Sequence, residues 1–165
     1  MIYRTFLLLA LSITSLFAGE DEARLTELNA YWGEVSRSVH EGDFEGYRAT
    51  CHPDGVLVSG TKNTSYLLAD ALKKWNPNFL NTKTGKIKAS VEFRFSQRRG
   101  DAATAHETGM FRYAESDAEG TEKISYINLI ALLVKKEGKW LILMENQESE
   151  GTIEDWNKLT TTPSE

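Results

Sequence analysis

The chain has 165 residues, 41% hydrophobic and 26% charged, a balance that suits one globular domain able to bury a core without metals or disulfides. A net charge of -5 opposes general nucleic-acid binding, which needs a basic footprint, and docking on anionic lipid. The single cysteine, Cys51, excludes an internal disulfide.

The chain begins MIYRTFLLLALSITSLFAGEDEARL, with Arg4 the only charge before Glu20. A charged start, an apolar run at residues 6–13 too short to span a bilayer, and small residues at Ala18 and Gly19 read as a secretory signal peptide over residues 1–18. An uncleaved anchor helix is the alternative. The first reading predicts an exported protein, periplasmic or secreted, with no membrane association after cleavage. Loss of Arg4 takes the charge from -5 to -6.

The domain is expected over residues 20–150. Leu25, Leu28, Trp32, Val35 and Val39 recur at steps of three and four and predict a first helix, with acidic residues 20–22 suited to its N-terminal end. Gly42 is its expected stop and Asp43 the expected cap of a short helix, FEGYRAT. CHPDG reads as a turn, with Asp54 capping it, and VLVSG as a short strand. TSYLLADALKKW reads as a third helix with Leu68, Leu72 and Trp75 on one face, stopped by NPN.

From Lys86 the texture changes. KIKASVEFRFSQ alternates, with Ile87, Ala89, Val91, Phe93 and Phe95 on one side and polar residues on the other. RGD turns it into AATAHETGMFRYAES, and DAEG leads to EKISYINLIALLVKK. A tight Glu137-Gly138 turn opens KWLILMENQES, and residues 151–165 read as a short helix or tail. Helices followed by long antiparallel strands make an α+β layout. Strands of such length tend to curl, and helices across the concave side would enclose a conical space.

The order of these segments resembles the nuclear transport factor 2-like (NTF2-like) superfamily, and within it the SnoaL-like, DUF4440-type proteins. The matching motifs are Pro53-Asp54 before a short strand, Gly100-Asp101 with Ala103 at a strand start, and Glu137-Gly138-Lys139-Trp140 with Ile142 in the last hairpin. The match covers residues 22–150. The resemblance implies a cone-shaped barrel, a curved antiparallel sheet with N-terminal helices over its concave face, commonly a homodimer through the sheet's outer face. It implies no reaction, because the superfamily holds both enzymes and non-catalytic members. Members of this type often carry histidine late in the last strand, where this chain has Met144 and Asn146. The catalytic sets of the superfamily's isomerases and hydrolases find no residue-by-residue match.

A two-residue turn at Glu137-Gly138 pairs Leu133 with Ile142, Ala131 with Met144 and Leu129 with Asn146. Both faces of this hairpin are apolar near the turn, so one is expected in the core and the other in an oligomer interface. With the family's tryptophan placed inward, Trp140, Ile142, Met144, Asn146 and Glu148 face the cavity. Leu132, Val134, Leu141 and Leu143 then form the dimer patch. The competing reading makes residues 145–148 plain solvated strand end.

Glu107 and His106 are the candidate acid–base residues. A three-residue turn at Arg99-Gly100-Asp101 puts Glu107 on the aromatic face of Phe93, Phe95, Phe111 and Tyr113, where desolvation raises a carboxyl pKa; a two-residue turn puts His106 there instead. The plainer alternative is a partnered glutamate and a surface histidine. Trp32, Tyr66, Trp75, Phe79, Phe93, Tyr113, Met144 and Asn146 are the expected ligand-binding set, for a small apolar or aromatic molecule. His40, His52 and His106 share no metal spacing, and no phosphate loop, nucleophile elbow or cysteine pair points to a cofactor. The leading functional expectation is therefore ligand binding without established catalysis. The alternatives are a cofactor-free acid–base enzyme and a structural or interaction module with a filled cone.

Overall fold

The computed structural model describes residues 3–159, with side chains from residue 21 onward. The expected leader over residues 1–18 lies outside the described side chains, and residues 160–165 of the tail lie outside the description altogether. Helix α1 (Tyr3–Glu41) leads into α2 (Phe44–Ala49), strands β1 (Cys51–Ser59) and β2 (Thr64–Leu67), and helix α3 (Leu68–Lys83). Strands β3 (Lys88–Gly100), β4 (Thr104–Ser116), β5 (Glu122–Lys136) and β6 (Lys139–Glu150) and helix α4 (Ile153–Lys158) complete the order. Among the described residues no helix is long and apolar enough to cross a membrane.

One six-stranded sheet has the order β2-β1-β6-β5-β4-β3, antiparallel except where β1 runs parallel to β6. It is curved and unclosed, the α+β cone anticipated from the sequence. The bend has local causes. The ladder slips between Phe95 and Gln97, twice in the β5–β6 pair, and between Cys51 and Val56, and each inserted residue bends and twists its strand.

Local chemistry explains most boundaries. Gly42 takes φ +66 at the end of α1, and a Cβ there would lie 2.4 Å from the Lys83 backbone nitrogen, so the α1–α2 corner needs glycine. The Asp43 side chain accepts from the Gly46 amide at 3.0 Å, capping α2. Glu137 and Gly138 both have positive φ, 52 and 77, which suits a two-residue hairpin whose twist matches its strands.

Several boundaries differ from expectation. TSYL pairs with β1 as a strand rather than opening α3, since Tyr66 and Leu67 find ladder partners in Leu57 and Val56. Asn76-Pro77-Asn78 does not stop α3, which continues to Lys83 with Pro77 inside it. Proline removes one helical donor, and burial of Phe79 against Phe44 and Tyr47 of α2 offsets that loss. CHPDG, expected as a turn, forms the irregular start of β1; Asp54 is exposed, and its amide donates to His52 Nδ1 at 3.1 Å.

The core joins the inner face of α1 (Leu28, Tyr31, Trp32, Val35) to Leu68 and Ala71 of α3 and the concave sheet face (Val91, Phe95, Ala105, Leu129, Ala131, Leu133, Trp140, Ile142). The convex face is covered at one end by α4. Trp156 is buried there, its ring 5.9 Å from that of Tyr126, with the Arg94 guanidinium 4.4 Å from its centroid.

Candidate functional site

The end of the cone beside the β5–β6 turn is plugged. Trp32 Nε1 donates to Glu107 Oε2 at 2.5 Å, and Arg98 donates to the other oxygen of the same carboxylate. Arg98 also reaches Asn29 Oδ1 on α1 at 2.5 Å. One turn away, Trp140 Nε1 donates to Glu27 at 2.8 Å, and Lys135 Nζ lies 2.6 Å from the same carboxylate. These two bonds hold the Glu27 pKa below the ordinary carboxylate range. Two tryptophan–glutamate–cation sets thus pin α1 to the sheet, and a solid layer of Phe95, Ala105, Ala131 and Leu133 lies alongside.

Toward the other strand ends the cone is hollow. A cavity of about 360 Å³ lies under α1, α2 and α3. Aromatic walls come from Tyr31 and Trp32 of α1, Tyr47 of α2, Trp75 and Phe79 of α3, Phe93 of β3, and Phe111 and Tyr113 of β4. The rings brace one another: Tyr47 meets Phe79 at 5.1 Å and Trp75 at 6.0 Å, and Trp32 meets Phe93 at 4.3 Å. The volume falls in the range of small-molecule sites.

Among the described residues, Glu145, on β6, is the single carboxylate on the cavity lining, and no lysine, arginine or histidine lines it. Its ladder neighbours, Leu57 and Ala131, are 2% and 0% exposed, so its backbone sits in the middle of the sheet. Its one hydrogen bond comes from Gln147 Nε2 at 2.7 Å. Desolvation raises its pKa, and the Gln147 bond opposes this only in part. Burial likewise holds the Tyr31 and Tyr47 phenols well above their ordinary range and pushes the Cys51 thiol up to about 12. Tyr113, whose hydroxyl donates to Glu115 at 3.1 Å, is pushed up to about 12. At neutral pH the phenols and the thiol of the site are uncharged, and Cys51 is a poor nucleophile.

The residues singled out from the sequence fall into three groups. Trp32, Trp75, Phe79, Phe93 and Tyr113 line the cavity. Tyr66 does not; it lies on β2 with Lys74 Nζ 4.1 Å from its ring centroid. Glu107 points inward and is 0% exposed, yet it lies in the plugged end, held by Trp32 and Arg98, outside the lining. His106 is exposed on the opposite face, opposite Leu132. The loop falls at residues 101–103 rather than at Arg99–Asp101, and Glu107, not His106, reaches the inner side.

Met144 and Asn146 are a correction. Leu133 pairs with Ile142 as expected, but Leu132 pairs with Met144, leaving Leu143 as an extra residue. A one-residue slip exchanges the two faces of a strand. Beyond it Glu145 and Gln147 line the cavity, while Met144 and Asn146 share the outer side with Leu132 and Ile130. The second slip, between Asn128 and Leu129, leaves Glu148 exposed. Reading 141-LILMENQ-147 as an unbroken alternation therefore hides Glu145. The available signal was weak: four apolar residues in a row satisfy either register.

Among the described residues no group of three or more His, Cys, Asp or Glu side chains is placed to hold a metal ion.

Residues 24–150 match the family model described as the calcium/calmodulin-dependent protein kinase II association domain. Among solved structures, a scytalone dehydratase-like protein of Novosphingobium aromaticivorans superposes with a TM-score of 0.68 at 14% identity, over 82% of this chain and 89% of that one. A protein of unknown function from Mycobacterium tuberculosis gives 0.65 at 15% identity, over 81% and 75%. A ketosteroid isomerase-like protein of Erwinia carotovora atroseptica gives 0.53 at 18% identity, over 74% and 92%. Identities at this level speak for the fold alone. No curated protein matches. With most of its length matched and its helices laid over a curved sheet, the chain belongs to the calcium/calmodulin-dependent protein kinase II association-domain family, within the NTF2-like superfamily.

Proposed function

We propose that this protein binds one small, largely apolar or aromatic molecule in the cavity under its helices, and that it works as an exported homodimer. The observation that carries the binding reading is a space of about 360 Å³ walled by aromatic rings and holding one buried carboxylate bonded to an amide rather than a cation. A structural module has no need of such a hollow, since a well-packed interior fills gaps larger than a water molecule. Titration with a neutral naphthalene-sized alcohol, followed by the fluorescence of Trp32 and Trp75, tests it. A saturable one-to-one change is expected, and it is expected to vanish in Ile127→Trp, which fills the lining, while the far-ultraviolet dichroism stays native. A change that never saturates, or that survives the filled cavity, counts against binding at this site.

Acid–base catalysis is the second reading, favoured by the raised pKa of Glu145 at the cavity wall. It transfers the acid–base role from Glu107 and His106, neither of which lines the cavity, to Glu145. Dehydratase-like and isomerase-like proteins among the solved structures make such chemistry compatible with the fold.

Export rests on the leader-like composition of residues 1–18. The dimer rests on the outer face, where Leu132, Val134 and Leu141 are only half-buried and Met144 lies beside Leu132. Leu143 belongs to the bulge itself. Sedimentation equilibrium is expected to give twice the mass of the purified chain, and Leu132→Glu to give the single-chain mass. A wild-type monomer at micromolar concentration overturns this part.

A further inference from the structure

The cavity's charge balance says more about its occupant than its size does. Among the described residues every titratable group on the lining is an acid, and the single carboxylic acid, Glu145, has no cationic partner there. Glu145 is 9% exposed and receives a single amide hydrogen bond, from Gln147. The contrast with the plugged end is informative. There the fully buried Glu107 is matched by Arg98 and Trp32, and even the more exposed Glu27 is matched by Lys135 and Trp140, whereas Glu145 is buried with no such cation. Near the other end of the cavity, Glu115 accepts from Tyr113 at 3.1 Å and lies 3.5 Å from Asn78 Nδ2, adding further negative charge beside the lining.

We propose, building on the ligand-binding reading above, that the natural occupant is an organic ammonium ion: an amine on an aromatic or aliphatic body, its nitrogen paired with Glu145 and its body held among Tyr47, Trp75, Phe79 and Phe93. A desolvated carboxylate that lacks an internal counter-ion gains most from a ligand that brings one. Aromatic faces attract the same charge through their quadrupoles. The groups facing Glu145 do not compete. Tyr31 Oη is engaged with the Thr50 carbonyl at 3.2 Å, Cys51 and Tyr47 are uncharged near neutrality, and Gln147 supplies only an amide. An anionic ligand would meet Glu145 and Glu115 with no donor cation on the lining.

The test uses the full chain and three ligands of matched shape: naphthylmethylamine, naphthylmethanol and naphthoate, compared by calorimetry at about pH 8, where the amine is charged. The amine is expected to bind at least about ten-fold tighter than the alcohol, and naphthoate not detectably. The amine's advantage is expected to shrink as pH falls through the titration of Glu145. In Glu145→Gln the amine-to-alcohol ratio collapses to about one, whereas Glu145→Asp, which keeps the carboxylate, retains a preference. An alcohol that binds as well as the amine in the wild-type protein overturns the ammonium assignment alone and leaves cavity binding standing. So does an amine preference that persists in Glu145→Gln. If none of the three binds, cavity binding falls as well.

Discussion

Replacing Glu107 with alanine is expected to cost about 3–5 kcal/mol of stability, the scale for breaking a buried ion pair from one side. The side chain is fully buried, and Arg98, its partner, is 15% exposed. Truncation leaves Trp32 Nε1 and the Arg98 guanidinium facing an empty space with no acceptor. Arg98 has little room to compensate, because its Nη2 is already buried without a partner and its Nη1 is committed to Asn29. Glu107→Gln is expected to cost less, since an amide oxygen still accepts from Trp32. The double change Arg98→Met with Glu107→Leu is expected to recover most of the loss by removing both charges together. Urea unfolding of the four proteins measures these steps. The same experiment separates a structural glutamate from a catalytic one. A Glu107→Ala protein as stable as wild type, but unable to handle ligand, would reinstate Glu107 as the functional carboxylate.

Glu145 is expected to behave in the opposite sense. At pH above the raised pKa of Glu145, Glu145→Gln should be more stable than wild type by about 1–3 kcal/mol, the mutational range for burying an incompletely bonded polar group. For a chain of this length that is a rise of roughly 2–4 °C in Tm per kcal/mol. The pH dependence follows from the direction of the shift. A carboxyl whose pKa is raised by folding holds its proton more tightly in the folded state, so ionising it weakens the fold. The wild-type penalty is complete above the raised value. It shrinks as pH falls through that value and is absent once pH lies below the ordinary carboxylate range. The advantage of Glu145→Gln should disappear over the same interval. Tyr31, Tyr47 and Cys51 stay protonated throughout that interval and contribute no slope. A saturating ammonium ligand should narrow the gap by stabilising the wild-type carboxylate preferentially. A variant that is less stable than wild type at every pH up to mild alkalinity would show that Glu145 is internally satisfied, and would remove the reason for seeking a cation.

These two glutamates also mark how far the primary structure could be read. Strand β3, with Ala89, Val91 and Phe95 buried at every second position, announced its own face, as did α1 with Leu28, Trp32 and Val35. The Glu137-Gly138 turn and the Asp43 cap were equally legible, because each depends on residues a few positions apart. Glu107 was legible only as one of two candidates for the inner face, beside His106, and its partners were not legible: Arg98 is nine residues away in sequence and Trp32 seventy-five. Neither distance leaves a trace in local pattern.

The amino-acid order by itself determined the α+β layout, the long strands, and the aromatic residues at helix and strand spacings that wall the cavity, because periodicity and turn chemistry act over a few neighbouring residues. Only the tertiary structure decided which carboxylate enters the hollow. One extra residue at Leu143 turns Met144 and Asn146 outward and Glu145 inward, and an apolar run such as Leu141–Met144 suits both registers equally. The choice between them is made by how β6 packs between β1 and β5, a relation among strands far apart in the chain.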